Sequence, residues 1–329
     1  MMKHEQSYSI TIVGATGLVG QTLLKILDEE NFPVSRLDLY SSKASQGKEI
    51  IFRNKKIKVK SIDEHLISND FNFLMTNSEI SKELAPMLST KGVVIDNSTA
   101  FRLENEVPLV VPEINLESIK KNKIIANPNC TTAICSLPIF IIQKLFGLKL
   151  VIATTYQSLS GCGKNGLEIL NQSRDYKELF AHDITKTCIP KIGEEVIDGY
   201  TSEELKMSNE MRKILNNYDF ETVTTCVRVP IPFCHAVSLY IETQKDLNID
   251  KLIEELSKEK EIEIANNINE NIYPNSIEGY SSNKIFVGRI RRTNKKNGLA
   301  LYLTSDNLRR GASYNAYKIM TGIIARDSL

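Results

Sequence analysis

Residues 8–20 read YSITIVGATGLVG, and the way this stretch folds decides the architecture of the first third of the chain. Tyr8 to Val13 is a short run rich in β-branched residues, which favours a strand. Gly14, Gly17 and Gly20 follow at three-residue spacing, and behind them Val19, Leu23, Ile26 and Leu27 recur on one helical face. In a strand-turn-helix context, a GxxGxxG pattern permits a tight turn and close backbone approach, and the helix N-terminus faces a pyrophosphate. A tight βα turn without a ligand is the alternative.

Outward from that loop, short strand-like runs alternate with helical ones. LDLY (37–40), FNFLM (71–75), VVID (93–96) and KIIA (123–126) read as strands, and residues 20–30 and 78–88 as helices. Such alternation predicts βαβ units and a parallel sheet. From about residue 148 the runs lengthen: KLVIATTYQ, ETVTTCVRVP, AVSLYIET, NKIFVGRIRR and GLALYLTS. Turns such as TNKKNG (293–298) point to a mixed or antiparallel sheet in a second domain. The stretches 164–180 and 202–217 read as helices between its strands, and 307–325 repeats apolar residues at helical spacing. The expected class is therefore α/β.

The 329 residues suffice for two cores, and 41 basic against 40 acidic side chains leave no long-range field to attract nucleic acid or anionic lipid. No apolar run approaches the roughly 18 residues of a membrane span. Six scattered cysteines without CxxC or zinc-finger spacing predict thiols in a reducing cytoplasm and no metal site.

The second strand ends Tyr40-Ser41-Ser42-Lys43-Ala44-Ser45, with Asp38 two residues before its end. NAD would favour a carboxylate there, whereas hydroxyls and an ammonium suit a 2′-phosphate, so NADP (NADPH) is expected at Ser41, Lys43, Ala44 and Ser45. A merely solvated polar loop is the alternative.

NPNCTTA at 127–133 holds Cys130 behind Pro128 and Asn129, where an apolar helix-like run begins. Cys130 is either a small buried hydrophobe or a nucleophile at a helix N-terminus. A pKa lowered by about 1.5 from about 8.5 would raise the thiolate fraction at neutral pH from roughly 3% to about half. Cys135, Cys188 and Cys226 read as buried apolar residues. Of four histidines, His4 lies in a polar tail, His65 in a charged stretch and His182 in a loop-like region, while His235 heads a strand and is the best acid/base partner. Arg102, Glu203 with Lys206 at i and i+3, Gln157 and the Ser160-Gly161 turn are further polar candidates, each with a structural alternative.

Together these residues resemble the aspartate-semialdehyde dehydrogenase family in its common bacterial form. The resemblance rests on GATGLVGQ (14–21), SKELAP (81–86), IDNSTAFRL (95–103) with VPLVVPEIN, NPNCTT, TTYQSLSGCG (154–163), GYTSEELKMSNEMRKIL (199–215), RVPIPFCHA (228–236) and DNLRRGASYNA (306–316), in the family's order. It implies that Cys130 attacks L-aspartyl 4-phosphate to form a thioester that NADPH reduces to the semialdehyde. His235 would be acid/base and Gln157 would orient the acyl group. Asn129, Arg228 and Glu203 would bind the substrate, the last two at its α-carboxylate and α-amino group, and Arg102 and Lys206 would hold phosphate. Gly14, Thr16, Gly17, Leu18 and Val19 would meet the cofactor, joined by Ser78, Ser160, Gly161 and Asn307. It departs from the family in SGCG for SGAG, a longer ribose loop, and MTNSEIS for a more glycine-rich turn.

The resemblance further implies a Rossmann-type domain, 1–128 plus 307–329, and an α+β catalytic and dimerisation domain, 129–306, similar to the glyceraldehyde-3-phosphate dehydrogenase arrangement. A homodimer is implied, with a tetramer as the alternative, serving lysine, threonine, methionine and isoleucine biosynthesis. The nearest rival is N-acetyl-γ-glutamyl-phosphate reductase, against which Glu203 argues, because a free α-amino group benefits from a carboxylate partner.

Overall fold

In a computed structural model, residues 6–327 are described, and His4 lies outside them. Two compact units divide the chain, one of Met1–Pro128 with Ala312–Leu329 and one of Asn129–Gly311. The change-over at 311/312, rather than 306/307, places Asn307 in the second unit.

The first unit is built on β1 (Tyr8–Val13), α1 (Leu18–Glu29), β2 (Val34–Ser41), β3 (Glu49–Phe52), β4 (Lys55–Lys58), β5 (Lys60–Ser61), β6 (Phe71–Leu74), α2 (Ser78–Leu88), β7 (Val93–Asp96), α3 (Pro112–Asn115) and β8 (Ile124–Ala126). Its sheet runs β5-β2-β1-β6-β7-β8, and its pairs are parallel. This is the doubly wound order, in which ligands bind beyond the carboxyl ends of the strands. Ile10 to Val13 are buried consecutively, as a strand covered on both faces requires. The face of α1 carrying Leu23, Leu24 and Leu27 packs into the core with Ile10, Ile12 and Phe73, each buried Leu contributing about 1.5–3 kcal/mol. The hairpin of β3 and β4 was not evident in the sequence, because Ile50 and Ile57 pair across a two-residue turn at Arg53 and Asn54, both at positive φ.

The second unit holds α4 (Cys130–Phe146), β9 (Leu150–Gln157), α5 (Gly163–Leu170), β10 (Glu195–Ile197), β11 (Tyr200–Thr201), α6 (Ser202–Leu215), β12 (Glu221–Arg228), β13 (His235–Glu242), α7 (Ile249–Ser257), β14 (Ile262–Ile264), α8 (Ser276–Gly279), β15 (Ile285–Arg292) and β16 (Gly298–Ser305). Its sheet runs β12-β9-β13-β16-β15-β14, parallel at both edge pairs and antiparallel between. Burial alternates along β9, so Val151, Ala153, Thr155 and Gln157 share the covered face. Arg228 stands in register with Gln157 on the neighbouring strand.

Two helix expectations need correction. The α-helix in 164–180 ends at Leu170, with only a short 3-10 turn at Tyr176–Glu178 beyond it, because the Asn171 side chain accepts from Ser173 N–H and Gln172 turns to φ +62°. The C-terminal helix α9 (Tyr314–Asp327) starts seven residues later than residue 307. Asp306 accepts at its Oδ1 from the N–H groups of Leu308 and Arg309, and its carbonyl accepts from Gly311 N–H, so a wide turn at Arg309–Ser313 comes first. Within the first unit, Ala316, Ile319, Met320 and Ile323 of α9 join the core of β1 and α1.

Candidate functional site

At the carboxyl end of β1 the three glycines do different work. A Cβ on Gly14, at φ +87°, would stand 2.1 Å from Met75 O, and one on Gly20 would stand 2.4 Å from Gly14 O. These two are required by the packing of turn, strand and helix. Gly17 is exposed, and a Cβ there would approach only Gly14 O, at 3.3 Å. It caps α1 without a side-chain hydrogen bond, so no capping side chain occupies the first-turn N–H groups, as an anion cradle needs.

Beside this loop, Asp38 is committed elsewhere: Arg36 Nε at 2.6 Å, Lys60 Nζ at 2.9 Å and Asn69 Nδ2 at 3.0 Å all donate to it. Burial pushes its pKa up, but those partners outweigh burial and hold it below the usual carboxylate range. What the strand end presents is a hydroxyl cluster, Thr16 Oγ1 lying 2.7 Å from Ser41 Oγ and 3.4 Å from Ser45 Oγ, with Lys43 exposed in the same turn. Ser78 opens α2, its hydroxyl 2.6 Å from Thr99 Oγ1, but Asn77 already caps that helix. Arg102 is buried in this unit and donates to Asn97 O at 2.8 Å.

In the second unit Cys130 is the first residue of α4 and is half-buried. Asn129 is the N-cap, its Oδ1 accepting from Thr131 N–H at 3.0 Å and from Thr131 Oγ1 at 2.6 Å. Helix α6 clamps that cap twice. Glu203 accepts from Asn129 Nδ2 at 2.8 Å, and the buried Glu210, seven residues on and on the same face, accepts from Asn129 N–H at 2.6 Å. Glu203 also accepts from Gln157 Nε2 at 3.3 Å and pairs with Lys206 at 3.2 Å. Its burial disfavours charge, yet Lys206, Asn129 and Gln157 lower its pKa, so it is an ionised carboxylate inside the protein rather than half of a surface ion pair.

His235 is fully buried at the head of β13. Its Nδ1 accepts from Ser158 N–H at 3.1 Å. A backbone N–H can only donate, so the neutral ring carries its proton on Nε2. That Nε2 has no hydrogen-bond partner among the described residues. A Cβ on the exposed Gly161 would lie 3.3 Å from Nε2 and 2.7 Å from Arg228 Nη1, so a bare backbone faces both groups. Arg228 is anchored by donating from Nη1 to Ser158 O at 2.8 Å. It also borders a cavity of about 430 Å³ with Leu179, Phe180, Ile189 and Lys191.

Burial first, and the Arg228 charge second, depress the His235 pKa from 6.5 to about 3. An unfolded histidine takes a proton near pH 6.5 while the folded ring stays neutral, so the unfolded state binds the extra proton between those values. This contribution to stability is complete above pH 6.5 and is lost as pH falls toward about 3. Urea unfolding of His235→Gln should accordingly lose less stability than the native chain between pH 7 and pH 5; an equal loss would refute the buried neutral ring.

Cys135 and Cys226 are buried, burial raising both thiols, Cys226 to about 12. Cys188 is exposed, correcting the expectation of a buried residue, because it lies in the loop leading to Ile189. Cys162 is half-buried, and its thiol is raised chiefly by desolvation. His65 and His182 are exposed. Ser158, Glu210 and Gly311 were missed by the sequence reading; a Cβ on Gly311 would lie 3.1 Å from Cys130 Cβ, and only its place in DNLRRGASYNA hinted at a role. Among the described residues no His/Cys/Asp/Glu group could hold a metal, and no helix is long and apolar enough to cross a membrane.

Residues 9–122 match the family described as semialdehyde dehydrogenase, NAD binding domain, and residues 139–310 the family described as semialdehyde dehydrogenase, dimerisation domain. The aspartate-semialdehyde dehydrogenase of Aquifex aeolicus is 39% identical, over 95% of this chain and 96% of that protein. The crystal structure of aspartate semialdehyde dehydrogenase II from Vibrio cholerae is 34% identical with a TM-score of 0.92, over 98% of this chain and 100% of that one. The same enzyme complexed with ASA gives 33% identity and a TM-score of 0.93, over 98% and 99%.

Proposed function

The chain belongs to the aspartate-semialdehyde dehydrogenase family, and from that premise we propose that its thioester chemistry is carried by Cys130, with His235, Gln157, Asn129, Glu203, Lys206 and Arg228 in the roles derived below. The family's reaction is the reductive dephosphorylation of aspartyl phosphate to aspartate semialdehyde, in amino-acid biosynthesis. The observation that carries the assignment is the cap of α4, where two carboxylates of α6 grip Asn129 and so set the position of the next residue, Cys130.

The dipole and first-turn N–H groups of α4 favour a thiolate at Cys130. The thiolate attacks the acyl carbon and phosphate leaves, with Lys206 as its cationic partner in the second unit. The ionised Glu203 suits a substrate ammonium, and Arg228, beside the cavity, suits the α-carboxylate. This pairing favours a free amino acid over an N-acylated one. Gln157, buried and bonded to Glu203, orients the acyl group. A bound nicotinamide cofactor supplies hydride to the thioester. As the thiohemiacetal oxygen gains charge, the Nε2–H of His235 gives it a proton and takes that proton back as the C–S bond breaks, which releases the semialdehyde and the Cys130 thiolate.

The cofactor is a nicotinamide dinucleotide, for which the Gly17 opening and the α1 N-terminus fit the pyrophosphate. NADP is the preferred form, supported by the engagement of Asp38 with Arg36, Lys60 and Asn69 and by the Thr16, Ser41, Ser45 and Lys43 cluster. Ala44 and Ser78 belong to the same set. A charge-assisted contact contributes about 1.5–3 kcal/mol. Lys43→Ala should therefore raise the KM for NADPH roughly tenfold or more while leaving that for NADH little changed. A parallel change for both cofactors would remove Lys43 from the 2′-phosphate.

The matched dimerisation domain supports a homodimer, and six thiols suit a reducing cytoplasm. The functional test is phosphate-dependent reduction of NADP with aspartate semialdehyde, and an inactive native chain would refute the assignment.

A further inference from the structure

We propose that Asn307 is a positioning residue whose amide oxygen locks the segments on either side of His235, so that the ring enters the reaction as a proton donor at Nε2. This rests on the assignment of His235 above. The Oδ1 of Asn307 accepts from three donors, each at 3.1 Å: Ser158 Oγ, Ser160 Oγ and Cys234 N–H. All four residues are buried. One acceptor thus ties together the turn after β9, the residue before β13 and the segment after β16.

Both tied segments act on the same ring. Ser158 is the residue whose N–H feeds Nδ1 of His235, and its hydroxyl, also 3.1 Å from Nδ1, is a donor to Asn307. With that hydroxyl proton committed, the backbone N–H is the donor left for Nδ1, and Nε2 keeps the ring proton. Cys234 immediately precedes His235 and stands at φ +69°, a conformation that costs a non-glycine residue energy and persists where its surroundings enforce it. The bond from Cys234 N–H to Asn307 is such an enforcement. The other end of the amide is separate, because none of these three bonds involves Nδ2 of Asn307.

The two ends can be told apart. Asn307→Asp keeps the acceptor and loses the donor, whereas Asn307→Leu loses both. Chains labelled with ¹⁵N-histidine report by NMR which ring nitrogen holds the proton, with His235 assigned from His235→Asn. The native ring should show the Nε2–H tautomer. Asn307→Leu should lose that single tautomer and drop kcat on the order of 10²-fold with the KM for aspartate semialdehyde little changed. Asn307→Asp should retain the tautomer and hold kcat within about tenfold of native. If Asn307→Leu does not fold, Asn307→Ala replaces it. An Nε2–H signature that survives loss of the amide oxygen, or an Asp variant as impaired in kcat as the Leu variant, overturns the proposal. The NMR readout needs no turnover, so an inactive native chain would refute the functional assignment without deciding this one.

Discussion

Cys130→Ala is expected to lower kcat by about 10⁴-fold or more, with the fold intact. The thiol is the one group at the α4 N-terminus that can form a covalent acyl bond; alanine keeps the helix start and the clamp on Asn129 but offers no nucleophile. The loss is confined to chemistry, because the groups that bind the substrate, Glu203, Arg228 and Lys206, do not depend on sulfur for their position. The buried and half-buried thiols cannot substitute. Burial raises Cys135, Cys162, Cys226 and Cys234, and a thiol so raised is a poor source of thiolate at neutral pH. Steady-state rates with aspartate semialdehyde, NADP and phosphate provide the measurement, and circular dichroism establishes the fold. Activity retained within tenfold would remove Cys130 from the mechanism.

The second large effect is expected at His235. His235→Asn should cost about 10²–10⁴-fold in kcat, the usual worth of a positioned proton donor. The pH dependence distinguishes this account from one in which His235 titrates during turnover. With its pKa depressed to about 3, the ring is neutral across the working range, so the native kcat profile between pH 5.5 and 8 should carry no inflection that vanishes in His235→Asn. Such an inflection would mean that the ring gains and loses its proton in the enzyme–substrate complex.

The local features of this chain were legible in its sequence. A strand, three spaced glycines and an amphipathic face write the first βα unit within about twenty residues, and the change to longer alternating runs marks the second sheet. Cys130 was readable as a helix-start residue because its cap, Asn129, is its neighbour. The site's connections were not legible, since they join residues far apart: Asn129 to Glu210 across 81 positions, Ser158 to His235 across 77, Ser158 to Asn307 across 149. Such contacts leave no periodic trace. Asn307 illustrates the difference, since the motif around it marks the residue while only the fold shows three donors meeting its oxygen. The break at Gln172 was likewise hidden, because the surrounding apolar spacing continues past a side-chain turn that ends the helix.

The most direct test of the central claim is to mix the native chain with aspartate semialdehyde and NADP while withholding phosphate. Without an acceptor for the acyl group, the thioester should accumulate. One NADPH should then form per subunit in a rapid burst, and peptide mass spectrometry should find the aspartyl adduct on the peptide containing Cys130. A burst that persists in Cys130→Ala, or an adduct on a different cysteine, would contradict the account.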